Sequence, residues 1–426
     1  MLSGKPSLLF VSQNLPKRFA SSGVTRLYFF VKMLCRDFDV VVATYFMPAF
    51  DKPEDVAALE ALGARVEAVP FNYPHEGSDR FSRKLPDRVQ ALLGSDRFDI
   101  IHLERFWMHI CLEGMWETLG IPVVLDEMDV EYKREERRFS VQGADPAARE
   151  TWERERRQEL ETCRRASTVI AVTEADRQTL LAELPELHIV VIPTGQDVAW
   201  LNAALPDVVP DVACYATAGA KPGATPDLIT DSLSASRSVA GADRLHGVVF
   251  CGDYRHNPNV DAALYLANDI WPLVKKQVPD ATLTLLGGSP PPELLALAGD
   301  DIEVPGWVDD LRPYYRREKV ALAPIRFGSG IKAKIIEAAA CGLPVVTTGI
   351  GAEGLTLERG TEYFVEDDVQ ALAEKTSLLL GDAQLRAIMG AKGRNRALEY
   401  DWEALYPVFS DIYLTLVADN RKNAGR

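Results

Sequence analysis

Two lysines and a glutamate in "RFGSGIKAKIIEAAACGLPVV", residues 326–346, stand at a spacing suited to a phosphorylated ligand. The stretch reads as a glycine loop, a short helix and a buried strand, with Lys332 and Lys334 in the first turn of the helix. A cation there opposes the partial positive charge of the helix N-terminus and costs about 0.3–1 kcal/mol. An anion is therefore expected in front of Ile331. At about 100° per residue, Ile331, Ile335, Ile336 and Ala339 share a packing face, while Lys334 and Glu337 lie on the opposite face, free for chemistry. Gly328 and Gly330 let the backbone pass close to a ligand. The set suits a diphosphate neutralised by lysine, with Glu337 accepting from hydroxyls such as those of a ribose. Gly342 closes the helix and Pro344 starts the strand "PVVTT".

These residues need a frame, and the chain supplies an α/β one. Short β-rich runs alternate with helical patterns: "SLLFVSQ", "FDVVVATYF", "ARVEAVPF", "FDIIHLE", "IPVVLDEMD", "ASTVIAVT" and "LHIVVIPTG", then "HGVVFCGDY", "ATLTLLGGS", "DIEVPGW", "KVALAPI", "LPVVTTG" and "EYFVED". That is the pattern of parallel strands with crossover helices. The chain of 426 residues suggests two domains of roughly 200 residues each. Residues 1–204 form the first Rossmann-like domain, 205–245 an irregular connection, and 246–400 the second. Residues 401–419 form a helix returning to the first domain, with Trp402, Leu405, Phe409, Ile412, Tyr413 and Leu416 on or near one face. Parallel sheets of this kind bind ligands outside the carboxyl ends of their strands, here in the cleft between the two domains.

The 47 basic and 62 acidic residues give a net charge of −15, which excludes a global field attracting nucleic acid or an anionic membrane. Any anion site must be local. The six cysteines are scattered without a Cys-x-x-Cys pair, which argues for reduced thiols in a cytoplasmic protein and against a disulfide framework or zinc site. No run approaches the ~20 apolar residues that cross a bilayer.

"APIRFGSGIKAKIIEAAACGLPVVTTGIGAEGL", residues 323–355, resembles the donor-binding signature of the GT-B glycosyltransferases of family 4. The resemblance extends to the segment from Gly252, "GDYRHNPNVDAALYLANDIWPLV", to "VPGWVDDLRPYY", and to "SQNLPKRFASSGVTRLY", "DIIHLER", "IPVVLDEMDVEYKREERR" and "IPTGQD". It implies retaining transfer of a sugar from a nucleotide-sugar, a UDP- or GDP-sugar, to a glycan, lipid-linked or protein acceptor, with no required metal. By position Glu337 is the second glutamate of the family's pair, which usually holds the ribose; the first falls on Ser329, where a hydroxyl replaces the charge. The Arg/Lys pair that many members carry is missing from "CGDYRHNPN". Its role passes to Lys332 and Lys334, with Arg255 or Arg326 as helper. Trp307 and Val308 stand where the family stacks its base, and Gly23, in the glycine loop after the first strand, is placed with Gly252 and Ile331 among the donor-binding residues. His102, Arg105 and Arg26 are placed on the acceptor side, and Glu104 near the reacting carbon. His102 has a second reading as a buried, satisfied histidine.

Other signals are bland. "GIGAEG", residues 349–354, matches a dinucleotide fingerprint but lacks the long apolar helix that must follow. Its Gly351, Ala352 and Glu353 are instead expected to contact the donor sugar and diphosphate. "DEMD", residues 126–129, reads as capping or acceptor-side hydrogen bonding rather than a metal site. The mixed charges of residues 149–165 read as a solvated face. "RFSRKLPDRVQALLG", residues 80–94, is basic and partly amphipathic, and is read either as a surface helix or as a weak peripheral contact with the inner face of the membrane. The same architecture leaves open a nucleotide-sugar epimerase or hydrolase, and a catalytically degenerate binding subunit.

Overall fold

The computed structural model describes residues 4–71, 82–143, 145–203, 247–328 and 330–424. The expected connection at 205–245, Ser329, and residues 80 and 81 of the basic stretch lie outside them.

Every run expected as a strand forms one. The first sheet holds β1 (Ser7–Ser12), β2 (Asp39–Phe46), β3 (Arg65–Pro70), β4 (Ile100–Glu104), β5 (Val123–Glu127), β6 (Thr168–Ala171) and β7 (Ile189–Val191), in the order β3-β2-β1-β4-β5-β6-β7. The second holds β8 (Gly247–Cys251), β9 (Thr282–Leu286), β10 (Ile302–Gly306), β11 (Val320–Ala323), β12 (Val345–Thr347) and β13 (Tyr363–Val365), in the order β10-β9-β8-β11-β12-β13. All pairings are parallel. Helices cover both faces of such sheets, so their strands are apolar throughout rather than alternating. Leu8, Leu9, Phe10 and Val11 of β1 are accordingly all fully buried. Strand order reverses between β1 and β4 in one sheet and between β8 and β11 in the other, which makes these carboxyl ends the natural ligand sites.

Helix Trp402–Ala424 packs on the first unit. Phe409 meets Phe30 at 4.3 Å between ring centroids, and Trp402 stacks on Phe29 at 5.2 Å. Tyr406 and Ser410 both donate to Asp37. In the opposite sense, helix Val198–Asn202 sends Val198 and Leu201 into the core of the second unit, and Arg312 and Arg316 donate to the carbonyls of Trp200 and Leu201. The chain has thus reached the second unit before residue 204. Helix Lys84–Ser95 spends its apolar face on packing: Leu85, Val89 and Leu92 are buried, while Arg83 and Arg88 pair with Glu113 and Glu67. No helix of the described residues is long and apolar enough to cross a membrane.

Candidate active site

A cleft of about 610 Å³ opens between the two sheets' carboxyl ends, within the usual range for a small-molecule site. The β1–helix loop (Asn14, Ser21, Gly23), the end of β4 (Glu104, Arg105) and the turn after β5 (Met128, Asp129) line one wall. The loops after β8, β9 and β10 and the segment from Ile325 to Glu337 line the other.

On the second wall, helix Ala333–Ala340 begins two residues later than the sequence pattern suggests. Lys332 therefore stands at the N-cap, and only Lys334 lies in the first turn. Ile335, Ile336 and Ala339 are buried, while Lys334 and Glu337 line the cleft. The Lys334 ammonium donates to Asn259 Oδ1 at 2.5 Å and sits 4.7 Å from the Phe250 ring centroid. Burial brings its pKa down to about 8. Glu337 accepts from the Tyr315 hydroxyl at 3.3 Å; burial raises its carboxyl above the ordinary range, opposed by Lys334. Lys332 Nζ donates to Gly330 O at 2.6 Å, and burial lowers its pKa. Gly330 has φ +68°, and a Cβ there would stand 2.9 Å from Asp129 Oδ1, so glycine is needed for the loop to meet the opposite wall. Trp307 is 58% exposed, with its ring over Gly288, and Val308 lies beside it in the lining. An exposed indole at the mouth of a cleft offers a flat face on which a planar ring can stack.

On the first wall Glu104 is buried, and its Oε2 accepts from the Gln13 amide at 2.7 Å. Burial raises its carboxyl, opposed by Arg105. Arg105 has φ 62° and ψ 155°, a region almost reserved for glycine. Its guanidinium lies 3.6–3.9 Å from Glu131, Glu104 and Asp129. Three carboxylates around one cation over-determine the position, which is how strained backbone persists. Arg105→Gly and Arg105→Ala both remove the guanidinium, but only glycine relieves the backbone. Arg105→Gly should therefore be the more stable of the two by about 1–3 kcal/mol in urea unfolding; equal midpoints would show that the backbone relaxes freely.

The description "Glycosyl transferases group 1" fits a family model matching residues 246–382, and "Glycosyl transferase 4-like domain" one matching residues 25–195. The chain belongs to the group 1 glycosyltransferases. The phosphatidyl-myo-inositol mannosyltransferase of Mycobacterium leprae is 30% identical over 200 residues, 45% of this chain and 53% of the relative. The GDP-mannose-dependent alpha-(1-6)-phosphatidylinositol monomannoside mannosyltransferase of Mycolicibacterium smegmatis is 31% identical over 148 residues, 31% of this chain and 38% of the relative. The chain thus matches about half or less of the length of these curated relatives. Anabaena HepE, solved with UDP and glucose, superposes with a TM-score of 0.65 at 17% identity, over 96% of this chain and all of that one. Sucrose-phosphate synthase from Thermosynechococcus elongatus gives 0.66 at 16%, over 97% and 100%. At such identities the likeness shows the fold, which is GT-B.

Several expected site residues of this group 1 glycosyltransferase stand elsewhere. His102 is fully buried inside β4, stacked on Phe10, with Nδ1 2.7 Å from the Tyr413 hydroxyl. Burial lowers its pKa to about 4, so it is a neutral core residue that does not line the cleft. Arg26 is also fully buried: Nε and Nη2 pair with Asp126 at 3.1 and 2.8 Å, and Nη1 donates to Pro193 O. It is a structural cation, which corrects its placement on the acceptor side. Arg326 turns away to Asp261 at 2.5 and 2.9 Å and does not line the cleft. Arg255 does line it, folded onto Asp253.

The turn after β12 departs as well. The Gly351 and Ala352 amides are satisfied by Thr348, the Glu353 carboxylate is held by Arg137, and none of the three lines the cleft. Gly23, Gly252, Gly328 and Ile331 do line it, with Gly330, Trp307 and Val308. Asp129, the last residue of the "DEMD" read as capping or acceptor-side hydrogen bonding, lines the cleft, and so do Asn259, His256 and Arg134, which sequence reading did not single out. Asn259 had a signal in the "NPN" of the Gly252 segment; His256 and Arg134 had none of their own, because only the fold brings residues 129–134 to residue 256.

Proposed function

We propose that this protein transfers a hexosyl group, with retention, from a UDP- or GDP-sugar to a glycan, lipid-linked or protein acceptor without a metal ion. The carrying observation is the pair Lys334 and Glu337, side by side on the cleft wall of helix Ala333–Ala340. Lys334 and the helix N-terminus neutralise the donor diphosphate, Glu337 takes the ribose hydroxyls, and Trp307 stacks the base. As the sugar–phosphate bond breaks, negative charge grows on the leaving diphosphate, where preorganised cations act most strongly. The diphosphate itself accepts the acceptor's proton on the face it leaves, which gives retention. Glu104 stands across the cleft as a polar group beside the reacting carbon. The names of relatives support the donor class: one uses GDP-mannose, and HepE was solved with UDP. The phosphatidylinositol in the names of the two mannosyltransferases supports a lipid-linked acceptor.

A thermal-shift panel of UDP-, GDP-, ADP- and TDP-sugars tests donor binding, since a ligand of the folded state raises stability by RT ln(1 + [L]/Kd). NMR of the product anomer tests retention, and an inverted linkage or a covalent glycosyl adduct on Glu104 would sink the mechanism. Glu337→Gln keeps an acceptor oxygen but loses charge, and Glu337→Ala loses both. Nucleotide affinity should fall in the order wild type, Gln, Ala, with each lost bond to a charged acceptor worth about 1.5–3 kcal/mol. A 2′,3′-dideoxy nucleotide should feel neither change, and equal losses for it would remove the ribose assignment.

A further inference from the structure

Arg137 lies on helix Glu131–Gln142 of the first unit, yet its side chain ends on the second. Nη1 donates to Gly328 O at 2.9 Å and to Glu353 Oε2 at 2.6 Å, while Nη2 donates to Glu353 Oε1 at 2.7 Å. One planar guanidinium thus clamps a carboxylate in a two-bond fork and also holds a loop carbonyl. The helix that aims it is fixed at its start: Glu159 of the neighbouring helix Pro146–Arg165 is fully buried and accepts from the Glu131 and Tyr132 amides at 2.8 and 3.0 Å. Arg134, three residues before Arg137 on the same helix, pairs with Asp129 in the cleft lining.

Gly328 and Gly330 belong to the loop in front of Lys334. A carbonyl pointing into the cleft would repel a diphosphate, and both carbonyls are held by cations, Arg137 taking Gly328 O and Lys332 taking Gly330 O. Only one of those cations comes from the opposite unit. The loop's geometry is therefore complete only when the two units are closed on each other.

We propose that Arg137 is a positioning residue that couples closure of the cleft to the shape of the donor loop, with Glu353 as its anchor. This rests on the proposed transfer of a sugar from a nucleotide donor. Closure brings Arg137 onto Gly328 O and Glu353 at the moment the acceptor wall, with Glu104 and Arg105, meets the donor wall. The residues to which the proposed function gives the nucleotide, Lys334, Glu337 and Trp307, all belong to the second unit. Loss of Arg137 should then slow turnover more than it weakens nucleotide binding.

The test compares wild type with Arg137→Ala, Arg137→Lys, Glu353→Gln and the exchange Arg137→Glu with Glu353→Arg, read by steady-state kinetics, nucleoside diphosphate affinity and small-angle scattering. Arg137→Ala should lower kcat about 10–100-fold, as expected for a misplacement of about 1 Å, while the affinity for free UDP or GDP stays within about twofold. Its radius of gyration should exceed that of wild type. Glu353→Gln should do the same in smaller measure, which covers the case of a poorly folding Arg137 variant. Arg137→Lys and the charge exchange should recover part of both readouts, since each keeps a pair across the cleft. Unchanged kcat and scattering in Arg137→Ala and Glu353→Gln, or a loss of nucleotide affinity as large as the loss of kcat, would overturn the assignment. If wild type transferred no sugar, the functional reading would fail, and scattering would still decide whether Arg137 closes the cleft.

Discussion

Replacing Lys334 by alanine should lower turnover about 10²–10³-fold, the usual cost of removing one preorganised donor from a developing anion. Binding of UDP or GDP should fall far more than binding of the matching nucleoside, because the lysine faces the diphosphate and not the base. Folding should change less than binding, since the ammonium is held by Asn259 and the Phe250 ring, and its removal leaves the buried Glu337 carboxyl free to take up a proton. The same residue predicts a pH dependence. Burial lowers its pKa to about 8, and a diphosphate favours its charged form. Below pH 8 the cation is already present and affinity is flat. Above it, binding must first recover a proton, so affinity should fall by about tenfold per pH unit until the pKa of the complex is reached. Nucleoside binding should stay level over that range. Calorimetry from about pH 7 to 9.5 would check both. Equal losses for nucleoside and diphosphate would make Lys334 a structural group.

Arg26→Ala should destabilise the first unit by about 3–5 kcal/mol, because it leaves Asp126 buried without its counter-charge. The guanidinium contributes three hydrogen bonds and lies 4.3 Å from the Phe30 ring centroid, so nothing nearby can replace it. Replacing both partners, Arg26→Met with Asp126→Leu, should recover most of the loss, since a buried ion pair and an apolar pair of similar volume are often close in free energy. Urea unfolding followed by tryptophan fluorescence would read both changes. The folded fraction of each variant should keep near-normal turnover. A stable Arg26→Ala protein without activity would instead return Arg26 to the substrate.

The sequence alone set the two α/β units, because buried parallel strands must be apolar along their whole length and are punctuated by helices of a different period. It also set the lysine and glutamate of helix Ala333–Ala340, since residues three apart keep their relation on any helix. The placement of Trp402, Phe409 and Tyr413 on one face of the last helix was legible for the same reason. Local rules govern each of these features.

Tertiary structure decided what each polar residue meets. His102 and Arg26 have residue types suited to acceptor chemistry, but His102 lies inside β4, and Arg26 turns inward onto Asp126 of the neighbouring strand β5. Arg326 was available to a diphosphate by sequence, but Asp261, 65 residues away, takes it first. Arg137 and Glu353 stand 216 residues apart in different units, and no spacing rule joins them. The partners of a charged side chain are chosen by the distances that folding creates, and ion pairs form between whichever groups the closed cleft brings within reach.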